Sequence, residues 1–223
     1  VDGYFKRVRE ICDTYGVLLI LDEVMCGMGR TGHLFASEAD QITPDIVCIA
    51  KGLGAGYQPI GAMICSGHVY DGIKSGSGMF QHGHTYLGHP VATAAGYAVV
   101  KKIIGQNMVS SCRHLGNVLF DALQDRFGQH PYVGDIRGRG LFLGIEIVSD
   151  RTTKEPFDSK KQIARRIKKA AFDTGLICYP MPGTRDGRLG DHILLAPPFV
   201  MKEYQVSEII DKLDKALREV LPT

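Results

Sequence analysis

The chain has 223 residues, 44% of them apolar and 22% charged, with a formal net charge of +2. That length can bury a full core, as one large domain or two small ones, and so balanced a charge gives no global pull toward nucleic acid or an anionic membrane. No apolar run approaches the roughly 20 residues that span a bilayer, no signal-peptide pattern opens the sequence, and six scattered cysteines without a C-x-x-C pair read as the reduced thiols of a cytoplasmic protein.

The chain opens on Val1 and enters a helical pattern almost at once, as a piece cut from a longer protein would. Phe5, Val8, Ile11, Cys12 and Tyr15 recur at helical spacing, with Asp2 placed to cap the start and Gly16 to close the end. "VLLIL" (17–21) reads as a short strand apolar on both faces, followed by a glycine-rich loop and a short helix over 34–40. "PDIVCIA" (44–50) and "IGAMICS" (60–66) read as two further strands, and Pro90 opens a long alanine-rich helix over 90–104. This alternation predicts an α/β fold with a partial parallel or mixed sheet.

Beyond residue 106 the character changes to an amphipathic helix (107–127), a strand or strand pair (134–148), a helix (159–174), two short strands (176–180 and 192–200) and a final helix (202–220). The expected organisation is therefore two domains, 1–106 and a small α+β domain over 107–223.

The stretch "VLLILDEVMCGMGRTG" carries glycines spaced G-x-G-x-x-G. A dinucleotide fingerprint places them directly after the strand and at the start of a long helix. Here five residues separate the strand from Gly27, and the segment after Gly32 is short and soon broken by Pro44, so the glycines read as loop architecture. The acids Asp22 and Glu23 matter more, because they stand at the carboxyl end of a strand, where open α/β sheets carry their chemistry. Lys51 stands in the same position after the second strand, before the glycine-rich "KGLGAG". A carboxylate and an amine at one sheet edge can be a structural ion pair. They can also serve pyridoxal phosphate, with the lysine forming a Schiff base and the acid keeping the ring nitrogen protonated.

"FQHGHTYLGHP" (80–90) admits two readings. His82 and His84 could present imidazoles to zinc in a metal-dependent hydrolase, although no acid accompanies them locally. Alternatively, backbone N–H groups and the Thr85 hydroxyl could bind a phosphate before the helix at Pro90.

Taken together, "LLILDEVMCGMGRTG", "PDIVCIAKGLGAGYQPIGA", "QHGHTYLGHPVATAAG", "IRGRGLFLGIEI" and "GDHILLAPPF" resemble the class III, or omega-type, aminotransferases of the pyridoxal-phosphate fold type I group. The resemblance runs along essentially the whole chain and matches the carboxyl-terminal portion of that family. It implies that Asp22 pairs with the pyridine nitrogen and Val24 packs on the ring. It implies that Lys51 forms the Schiff base and shuttles a proton, and that Thr85, with the backbone near His84, reaches a neighbouring subunit's cofactor phosphate. The family implies a homodimer with shared active sites, an amine or amino acid as donor, a 2-oxo acid as acceptor, and an aminomutase or racemase as the alternative chemistry. A fragment that only dimerises is a further possibility. No site residue is assigned to a metal.

Three departures from the family pattern stand out. Met25 replaces a glutamine that touches the cofactor's phenolic oxygen, and Leu194 and Leu195 stand where ornithine-type members carry an arginine for the substrate carboxylate. The remaining candidates for that carboxylate are Arg185 and Arg188, in the preceding loop. Nothing in the chain matches the amino-terminal half, which in the family supplies the main phosphate cup and the stacking aromatic ring. The basic run "KKQIARRIKK" reads as a solvated helix face, since Ile163 and Ile167 give it an apolar side.

Overall fold

Helix α1, Tyr4–Tyr15, ends as its glycine predicts: Gly16 adopts a left-handed φ of 64° and its N–H bonds back to Cys12. Its start differs from expectation, because Gly3 occupies the cap position and no side chain caps the helix. The helix is held from its side by Arg9, whose guanidinium reaches Asp45 at 2.7 Å and Asp13 at 2.8 Å. Asp45 also accepts the Leu19 N–H at 2.7 Å, so a single carboxylate fixes both α1 and the approach to the first strand. The computed structural model describes residues 1–222.

Strands β1 (Ile20–Asp22) and β2 (Ile46–Ile49) run parallel, with Ile20 opposite Ile46 and Asp22 opposite Cys48. Strand β3 (Ala62–Cys65) joins β2 antiparallel, which makes the sheet mixed, in the order β1-β2-β3. The first strand was expected to be covered on both faces, but Ile20 is 58% exposed and only β2 buries alternate residues, Val47 and Ile49. They join Met28, Leu53 and Ile103 in a small core. Helix α2 (Gly67–Ser75), capped by the Ser66 hydroxyl, has no counterpart among the elements expected from the sequence. It buries no residue, and its apolar face is limited to Val69, Tyr70 and Ile73, too short a stripe to stand out in the sequence. Helix α3 (Pro90–Gly105) comes next along the chain.

Helix α4 (Met108–Phe127) crosses the division of the chain into two compact units, which falls between Ser110 and Ser111. The second unit is an antiparallel sheet in the order β4-β5-β7-β6, made of Val133–Arg139, Phe142–Ile147, Asp191–Leu195 and Tyr179–Pro182, with α5 (Ile163–Asp173) and α6 (Tyr204–Val220). Strict alternation in β5 and β7 turns Leu143, Ile145, Ile147, Ile193 and Leu195 inward, against Leu119, Leu123, Phe127, Ile167 and Leu213. A methyl at Gly116 would run into the backbone of Gly140 at the β4–β5 turn, so glycine lets α4 approach the hairpin. The expected helix over 159–174 is broken at Gln162, in a left-handed φ of 48°, and α5 begins beyond it. The buried Asp191 carboxylate caps the first turn of α5 by accepting the Ala164 N–H at 3.0 Å.

Candidate active site

The first unit brings Asp22 and Lys51 to one edge. Their strands are parallel neighbours in register, so both carboxyl ends point the same way, and Lys51 stands two residues beyond the end of β2. Both side chains are exposed, and among the described residues no ion pair joins them. The Asp22 carboxylate accepts the Val24 N–H at 3.0 Å through one oxygen, which leaves the other free to receive a proton donor. Val24 is half-buried beside it.

Lys51 has a backbone φ of +40°, in the left-handed region. For a side chain that is not glycine this costs roughly 1–3 kcal/mol and persists only where the surroundings impose it. The surroundings do so here. Leu53 donates to Ala50 at 2.8 Å and Gly54 to Lys51 at 3.1 Å, closing a short turn. The turn is pinned by Leu53, which is buried in the small core.

Glu23 does different work from its neighbour. Only 3% exposed, its carboxylate accepts N–H groups from Ala36 at 2.6 Å and Ser37 at 3.0 Å, at the head of a single helical turn. The glycines beyond it form a buried loop. Cys26 lies beside these acids, and burial, reinforced by the Glu23 charge, pushes its thiol above the usual range.

The 80–89 segment is exposed apart from His89, whose Nδ1 accepts the Val91 N–H at 3.2 Å and so caps α3. The His82 ring rests edge-on against Phe80. Among the described residues no three His, Cys, Asp or Glu side chains gather as metal ligands would. His84 and Thr85 start a turn in which Leu87 donates to His84 and His89 to Tyr86, and among the described residues the Thr85 and Tyr86 N–H groups have no backbone acceptor.

In the second unit the two loop arginines separate. Arg185 is paired with Glu155 at 3.4 Å. Among the described residues the Arg188 side chain has no such partner, and it lines a cavity of about 330 Å³ together with Arg165, Lys168 and Asp191. Leu195 is 4% exposed and belongs to the core, so it is closed to substrate; Leu194 is half-buried on the opposite sheet face.

A primary amine held in an imposed turn and a carboxylate with a free oxygen suit an aldehyde cofactor whose ring nitrogen must stay protonated. The donor set fits pyridoxal phosphate.

Comparison with known proteins agrees. The family model for class III aminotransferases matches residues 1–217. An aminotransferase of Gibberella zeae is 45% identical over 96% of this chain and 42% of its own length. A transaminase from the marine bacterium Virgibacillus superposes with a TM-score of 0.92 at 33% identity, over 99% of this chain and 49% of its own. An amine transaminase from an uncultivated Pseudomonas species, solved with pyridoxal phosphate bound, gives a TM-score of 0.89 at 34% identity over 98% and 48%. The chain thus spans about half the length of the relatives it matches. It has the mixed α/β fold of the fold type I transaminases and belongs to the class III aminotransferase family.

Proposed function

We propose that the protein of which this chain forms part is a pyridoxal-phosphate-dependent transaminase that moves an amino group from an amine or amino acid to a 2-oxo acid. The observation that carries the reading is the strained Lys51 turn beside Asp22 at the ends of two parallel strands. Pyridoxal phosphate would supply the electron sink that stabilises charge on the reacting carbon. Lys51 would hold the cofactor aldehyde through Nζ and, once displaced by substrate, would take and return the proton at the reacting carbon. Asp22 would keep the proton on the ring nitrogen, and Val24 would offer an apolar contact to one ring face.

Thr85, with the backbone at His84, would contact the phosphate of a partner subunit's cofactor, which makes the working unit a homodimer with shared sites. The uncommitted N–H groups of the 84–86 turn support this reading. For the acceptor carboxylate the better candidate is Arg188, because Arg185 is occupied by Glu155. A reducing compartment, the cytoplasm, suits six free cysteines.

The test is amino-group transfer itself. The whole protein of which residues 1–223 form part, supplied with pyridoxal phosphate, an amine donor and pyruvate, should form alanine, whereas residues 1–223 alone should not, and Lys51→Ala in the whole protein should abolish its formation with the melting temperature little changed. Alanine formation that persists in the variant would overturn the reading.

A further inference from the structure

The left-handed conformation of Lys51 needs a cause, and the contacts around it trace one back to Glu23. Asp22 and Lys51 lie at the ends of their strands, and the segment between Glu23 and Ser37 folds back so that Met28 packs against Gly52, the residue after Lys51. Glu23 holds that segment at both ends. Its carbonyl accepts the Gly27 N–H at 2.9 Å, and its buried carboxylate accepts those of Ala36 and Ser37. Its own N–H donates to Cys48 on β2 at 2.9 Å, three residues before Lys51.

Inside the loop, Gly29 donates to Leu34 and Gly32 to Gly29, and the residues between Gly27 and Gly29 are buried. The loop thereby delivers Met28, itself left-handed at φ 57° and 4% exposed, directly beneath Gly52. A Cβ at Gly52 would stand 3.1 Å from Met28 Cβ, tight enough that Met28 would have to give by a few tenths of an ångström. Leu53, on the other side, is fixed in the same core as Met28.

We infer that Glu23 and Met28 are positioning residues for Lys51: Glu23 braces the 27–37 loop, and Met28 in that loop is the floor that fixes the turn presenting the amine. The inference rests on the reading of Lys51 as the cofactor amine. It assigns to Glu23, adjacent to Asp22, a role with no contact to cofactor or substrate.

The experiment measures where pyridoxal phosphate attaches. The protein is treated with pyridoxal phosphate and cyanoborohydride under limiting conditions, digested, and the labelling of Lys51 is divided by that of Lys74, an exposed lysine on α2. Gly52→Ala should press a methyl against the Met28 Cβ 3.1 Å away, shift the turn that holds Lys51 in its costly left-handed conformation, and lower this ratio roughly tenfold. Met28→Gly also lowers the ratio by removing the floor, but adding Gly52→Ala to it should cost nothing more, because the colliding atoms are gone. Glu23→Gln, which keeps the shape but faces two N–H groups with a neutral amide, should lower the ratio while the protein still melts cooperatively.

A merely structural role would reduce melting temperatures and leave the ratio alone. An unchanged ratio in Gly52→Ala and Glu23→Gln, or a Gly52→Ala penalty that survives in the Met28→Gly background, would overturn the positioning role while leaving Lys51 as the cofactor amine. A wild-type ratio near one would instead defeat the assignment of Lys51 and the inference with it.

Discussion

At the residue scale, the two acids of "LDEV" divide their labour by burial. Asp22 is exposed at the strand end with one oxygen uncommitted, whereas Glu23 is buried and its carboxylate is spent on two backbone N–H groups. Asp22→Asn would leave the ring nitrogen largely unprotonated with little change of shape. Half-reaction rates should fall by about two orders of magnitude or more, roughly 3 kcal/mol of barrier. Stopped-flow measurement of the amine half-reaction checks this, and near-normal rates would contradict the role.

Asp45 offers a stability test at the same scale. The Leu19 N–H, then the Arg9 guanidinium, hold its carboxyl below the usual carboxylate range. A depressed folded pKa contributes stability that is fully present above the unfolded value, about 3.9, and is lost as pH falls through the folded value. Asp45→Asn should therefore lower the melting temperature at pH 7, and the gap to wild type should narrow once the pH falls below the unfolded value and close when the folded carboxyl is itself protonated. Cys178 gives a third reading: burial pushes its thiol up to about 11, so it should resist alkylation at pH 8, where exposed thiols react.

At the element scale, the loop before β7 poses the substrate question. If Arg188 receives the acceptor carboxylate, Arg188→Ala should raise the KM for the oxo acid far more than for a simple amine, since a guanidinium matches a carboxylate in two places. Arg185→Ala should remove only a surface pair with Glu155, worth about 0–1 kcal/mol. Equal effects on both substrates would point to loop damage. In the helical layer of the second unit, Leu123 is fully buried, and Leu123→Ala should cost about 2–5 kcal/mol of stability in denaturant titration.

Legibility in the sequence tracks the range of the interactions. The strand ends bearing Asp22 and Lys51 could be read because short apolar runs and the glycines after them are local signals. Gly16 closing α1 and the β4–β5 pair were legible for the same reason. The Glu23 clamp was not, because its partners lie 13 and 14 residues away and no spacing announces them. The left-handed Lys51 was also hidden, since only tertiary packing forces a lysine there. Helix α2 escaped because nine residues carry only Val69, Tyr70 and Ile73 as an apolar face, and the 159–174 helix looked continuous because Gln162 carries no breaker signal.

At the scale of the whole molecule, the two units are unequally covered. The second has an extensive core, whereas most of the exposed large apolar side chains, among them Ile20, Met63, Ile64, Tyr97 and Ile104, belong to the first. Where such side chains are contiguous they mark an interaction face, and the proposed homodimer is one candidate to cover it. Complementation tests the sharing. In a mixed dimer of Lys51→Ala and Thr85→Val chains, one site combines an intact Lys51 with an intact Thr85 from the partner. Unfolding and refolding the inactive Lys51→Ala chain with the impaired Thr85→Val chain should restore full-rate activity at about one site in four, as random pairing of a two-fold dimer requires. No recovery would mean that each site is built within one chain.

The proposed chemistry turns on a single nitrogen, and borohydride shows it directly. Pyridoxal phosphate is added to the protein, the adduct is reduced, and the digest is searched for the modified peptide. The label should sit on Lys51, in the peptide containing "IAKGLGAG", and hydroxylamine added before reduction should prevent it. A label on another lysine, or one spread evenly over the surface lysines, would contradict the assignment of this site.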